Sequence, residues 1–82
     1  MKTNFLPGLA KILRFLANTR RGFAENTREH AARLKREAYS NPGHKDSLLT
    51  SAVECEEIAA ESEALALKLE TKAMRWEALA AR

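Results

Sequence analysis

The sequence predicts an all-α fold, an antiparallel two-helix hairpin of 82 residues. Three observations predict it. The stretch "SNPGHKDS" (40–47) puts Asn, Pro and Gly together near the middle of the chain, where they stop a helix. Alanine recurs every seventh residue on both sides of that stretch. A basic row upstream has an acidic counterpart downstream at the same spacing.

The first helix is expected over residues 7–39. Pro7 suits a first helical turn, where its missing N–H costs nothing. Only Gly22 interrupts the run to Tyr39. The turn is expected over 40–46. The second helix follows over 47–81, with Asp46 or Ser47 as its cap. Nothing resembles a strand, and the whole chain reads as a single domain.

The alanine rows are 10, 17, 24, 31, 38 and 52, 59, 66, 73, 80. Folding at the turn pairs Ala38 with Ala52 and so on out to Ala10 with Ala80, each pair summing to 90. Small residues at every such position let helix axes approach more closely than usual. The same fold pairs Arg14 with Glu77, Arg21 with Glu70, Arg28 with Glu63 and Lys35 with Glu56. Exposed pairs of this kind add little stability, but they set register and orientation. The remaining inner layers are expected to match Leu13 with Trp76, Leu34 with Cys55, Thr27 with Ser62 and Arg20 with Leu69.

A chain this short buries a thin core and usually needs a staple or a second subunit. Cys55 is the only cysteine, so a disulfide within the chain is excluded and a reducing compartment, the cytoplasm, is expected. Residues 1–45 carry ten Lys/Arg against three acids, and residues 46–82 carry four against eight. The ion pairs account for much of that asymmetry. No apolar run is long enough to span a membrane. "FLPGLAKILRFL" (5–16) lacks the clean cleavage site of a signal peptide.

Two apolar faces remain over. Leu9, Ile12, Leu16 and Phe23 on the first helix share a side with Ile58, Leu65 and Leu79 on the second. A hairpin alone cannot bury them, so homodimerisation into a four-helix bundle is expected. A second stripe runs along the other flank of the second helix through Val53, Ala60, Leu67, Met74 and Ala81. Val53, Leu67 and Met74, with Trp76 or Tyr39 as aromatic anchors, form a candidate protein-binding surface. A higher homo-oligomer would use the same stripe.

Catalytic and metal chemistry have no signature. The glycines are isolated, His30 has no ligating partner four residues on, and E-x-x-H is absent. Cys55 is expected to be a small core residue, and His30 an interface histidine. No enzyme activity, metal or cofactor is expected.

The heptads of "AVECEEIAAESEALALKLE" (52–70), taken with the hairpin topology, resemble the Rop family of plasmid-encoded RNA-binding regulators. The resemblance implies a dimeric four-helix bundle, with RNA lying across the first helices on basic and amide residues around an aromatic. Lys11, Phe15, Asn18, Arg33 and Arg36 are the nearest equivalents by type. Lys2, Lys11, Arg20, Arg33, Arg36 and Lys45 are left over from the four ion pairs. "FLPGLAKILRFL" is similar in composition to short amphipathic antimicrobial peptides, which implies a membrane-surface role.

The favoured reading is a small non-catalytic regulator or inhibitor that binds a protein. Chains of this style recur in phages and other mobile elements. RNA binding is the alternative, and membrane-surface binding the third.

Overall fold

The computed structural model describes residues 5–82 and is the hairpin the sequence predicts. Helix α1 spans Phe5–Ser40 and helix α2 spans Lys45–Ala80, each of 36 residues. They pack against each other along their lengths, and there is no strand among the described residues. Pro7 lies in the first turn of α1, and Gly22 lies within the helix without breaking it.

The turn is shorter than the sequence suggests. Asn41 leaves the helix at φ −128°, ψ 78°, outside the α region that a following proline disfavours. Its backbone and side-chain N–H groups both donate to Glu37 O, at 2.9 and 3.3 Å, and satisfy an end carbonyl of α1. A 3-10 turn, Pro42–His44, leads straight into α2. His44 is the cap residue, and it makes no side-chain cap bond. Asp46 and Ser47 therefore lie inside the helix. Asp46 sits in its first turn, where a negative charge favours the helix dipole.

The core is alanine. Ala10, Ala17, Ala24, Ala31 and Ala38 are buried, as are Ala52, Ala59, Ala66 and Ala73, together with Ser62. Among the described residues no larger side chain is fully buried. The hairpin measures 64 × 13 × 12 Å. Helical Cα atoms lie about 2.3 Å off the axis, so the breadth leaves about 8 Å between axes, the close end of the usual range.

The levels of the two helices differ from direct alanine pairing. Helix α1 ends at Ser40 and α2, of the same length, begins at Lys45, which puts residues summing to about 85, not 90, at one level. The alanines of one helix therefore fall between those of the other, and Ala80 at the open end is only half-buried. The hydroxyls of the expected Thr27–Ser62 layer do not bond to each other. Ser62 Oγ donates to Arg20 O at 2.8 Å, while the Thr27 hydroxyl bonds within its own helix to Phe23 O at 2.7 Å. Leu13, Leu34, Cys55, Leu69 and Trp76 are half-buried at the margin of the core.

All four ion pairs form: Arg14–Glu77, Arg21–Glu70, Arg28–Glu63 and Lys35–Glu56. Their numbers sum to 91, several residues from level. Side chains on a helix lean toward its N-terminus. In an antiparallel pair, such partners lean toward each other, and long side chains close the gap.

Candidate interaction surfaces

The ionic ladder runs along one edge of the hairpin. Hydrogen bonds from the paired arginines hold the Glu63, Glu70 and Glu77 carboxyls below the ordinary range. The same bonds raise Arg14, Arg21 and Arg28. These groups are satisfied within the hairpin.

On the opposite edge, all seven residues of the predicted association face are exposed. Leu9, Ile12, Leu16 and Phe23 lie along α1, and Ile58, Leu65 and Leu79 along α2. The half-buried Leu13, Leu34, Leu69 and Trp76 border them. His30 lies exposed in the same row as Leu16 and Phe23.

The second stripe is also open. Val53, Leu67 and Met74 are 50%, 61% and 54% exposed on the outer side of α2. This face is wider than sequence reasoning made it. Ala64, Thr71 and Ala78 form an adjoining row with the same period, and all are exposed. Thr71 Oγ1 donates to Leu67 O at 2.9 Å, so its hydroxyl is satisfied and its methyl is free to face outward. The missed signal was the four-residue step from Ala60 to Ala64 and from Leu67 to Thr71, which marks a broad helical face. Leu67 and Thr71 also line a shallow hollow with Lys68, Lys72 and Arg75, giving the face a basic margin.

The proposed aromatic anchors do not join this face. Trp76 is nine residues from Leu67, half a turn round the helix, and is half-buried. Tyr39 is on α1 by the turn, with Lys45 Nζ 5.4 Å from its ring centroid. That contact occupies one of the cations left over from the ion pairs.

The basic residues are spread out. Lys11, Phe15 and Asn18 are near the open end of α1, and Arg33 and Arg36 near the turn. Lys11 and Arg36 are 25 residues apart on one helix, about 37 Å at 1.5 Å per residue. The exposed Glu25 and Glu29 intervene. Arg33 and Arg36 share a hollow with Glu29 itself. Lys2 lies outside the described residues.

Within "FLPGLAKILRFL", Ala10 is buried and Leu13 half-buried against α2, while Leu9, Ile12, Phe15 and Leu16 are exposed. No helix among the described residues is long and apolar enough to cross a membrane. Among those residues, no three His, Cys, Asp or Glu side chains gather as metal ligands would. Cys55 is a free, half-buried thiol.

No known protein family matches this chain, and neither do curated proteins or solved structures.

Proposed function

We propose that this protein works without catalysis, as a small regulator or inhibitor that binds an amphipathic helix of a partner protein along the outer side of α2. One observation carries the reading. Ala60, Ala64, Leu67, Thr71 and Met74 form a continuous exposed face, with Val53 one turn beyond Glu57, and no other element among the described residues covers it. An apolar face repeated over several turns fits a helix laid along it. Alanines at 60 and 64 let that helix approach closely, as the inner alanines do for α1. The basic margin at Lys68 and Arg75 suits a partner helix with acidic residues on that flank.

RNA binding is the alternative. Within one hairpin the residues it would use are divided between the two ends of α1, with Glu25 and Glu29 between them, so that reading needs two copies of the chain side by side.

Leu67→Glu and Met74→Glu test the reading. Both sites are exposed, so helix content and thermal unfolding should stay as in the parent. Partner binding should fall at least about tenfold, the equivalent of roughly 1.4 kcal/mol. Unchanged binding by both folded variants would refute the assignment.

A further inference from the structure

We infer that the face opposite the ionic ladder is closed by a second copy of this chain, lying antiparallel, so that the turn of each hairpin sits at the open end of the other. This face is separate from the outer side of α2, and the two assignments stand or fall independently.

The elongated hairpin has surface to spare. The chain exposes 6163 Å². A compact monomer of 9.2 kDa exposes about 4,900 Å², so the excess is about 1,200 Å². A standard interface takes about 800 Å² from each partner.

Charge selects the orientation. Levels summing to about 85 divide the hairpin between residues 23 and 24 of α1 and between 61 and 62 of α2. The open half, 5–23 and 62–82, holds eight Lys/Arg against three Glu, a net +5. The turn half, 24–61, holds five against eight acids, a net −3. This polarity along the hairpin is invisible when charge is counted helix by helix. Turns at the same end would set +5 beside +5. The antiparallel arrangement sets each +5 half beside a −3 half. The Debye length at physiological salt is about 8 Å, so the charges nearest the seam carry this preference.

Side-chain bulk is unevenly distributed in the same way. On this face the open half carries Leu9, Leu16, Phe23, Leu65, Leu69 and Trp76, while the turn half carries two large residues, Leu34 and Ile58, among the smaller Thr27, Ser51 and Cys55. Antiparallel copies spread the bulky residues along the seam, whereas parallel copies would gather them at one end. Lys72 and Glu37 are the charged residues in the flanking rows of this face. A two-fold axis at the hairpin's midpoint brings Lys72 to within about one helical turn of the partner copy's Glu37 level.

The test is a distance between copies. Gly43 lies in the turn, an added Cβ there meets nothing within 4 Å, and its φ is not positive. Gly43→Cys on a Cys55→Ala background therefore carries a spin label without strain. Sedimentation equilibrium at about 100 μM should give twice the 9.2 kDa chain mass, before and after labelling. Pulsed dipolar spectroscopy should place the two labels about 60 Å apart, close to the hairpin length of 64 Å. A label separation below about 30 Å, the breadth of two hairpins side by side, would overturn the antiparallel arrangement. A single-chain mass would overturn the self-association and assign the face to another protein or a lipid surface.

Discussion

Replacing Ala24 by leucine tests how tightly the two helices interlock. Ala24 is fully buried in the middle of α1, and about 8 Å separates the helix axes. Leucine adds three carbons, and the surrounding core positions are other alanines and Ser62, which cannot shrink. Either the helices move apart along several turns or the leucine takes a strained rotamer. Overpacking of this kind costs about 1–3 kcal/mol. For a domain of this size, each kcal/mol lowers Tm by roughly 4–8 °C, so a fall of about 4–20 °C is expected. Ala32→Leu, one residue beyond the buried Ala31 but exposed, is the control and should change Tm by no more than about 2–3 °C. Circular dichroism melts at fixed concentration measure both. Equal Tm values for the two variants would refute the claim that the alanine rows are a close-packed seam.

Three further outcomes are expected. Gly22→Ala should stabilise the protein by about 0.5–1 kcal/mol, because Gly22 is in mid-helix with ordinary φ and open space beside it; a lower Tm would contradict that placement. Ser62→Ala removes a buried donor to Arg20 O and should cost about 0.5–1.5 kcal/mol by urea titration, since the core around it stays closed. The ladder is tested with Arg21→Glu, which should lower Tm, and with the exchange Arg21→Glu with Glu70→Arg, which should restore it. The carboxyls of Glu63, Glu70 and Glu77 are depressed below 4.5, so the unfolded chain binds more protons than the folded one as pH falls through that value. Their contribution is complete above that pH and is lost below it, so acid titration of Tm should drop there and the Arg21→Glu variant should drop less.

Much of the fold was legible in the sequence because two heptad rows carried redundant information. The alanine row and the charge row independently specified two antiparallel helices with Ala and Arg/Lys–Glu partners. Level was harder to read. Side chains lean toward their own N-termini, so the ion-pair numbers, which sum to 91, overstate the level sum of about 85 that the helix ends give. The cap of α2 was also misplaced, because the Pro42–His44 turn starts the helix before Asp46 or Ser47 can cap it. The outer face of α2 was half legible: bulky residues at 53, 67 and 74 stand out, whereas Ala64 and Ala78 look like ordinary helix formers until the fold leaves them uncovered. The axial charge split depends on the fold itself, because it joins residues far apart in the chain.

The most direct test of the account is site-specific photo-crosslinking in cells, with a photoreactive side chain at position 67 or 74 and, as comparison, at position 29. Glu29 is exposed on α1, away from the outer side of α2. The account predicts a discrete protein adduct from positions 67 and 74, insensitive to nuclease and weak or absent from 29. Adducts equal at all three positions, or none at 67 and 74, would contradict a partner helix seated on the outer side of α2.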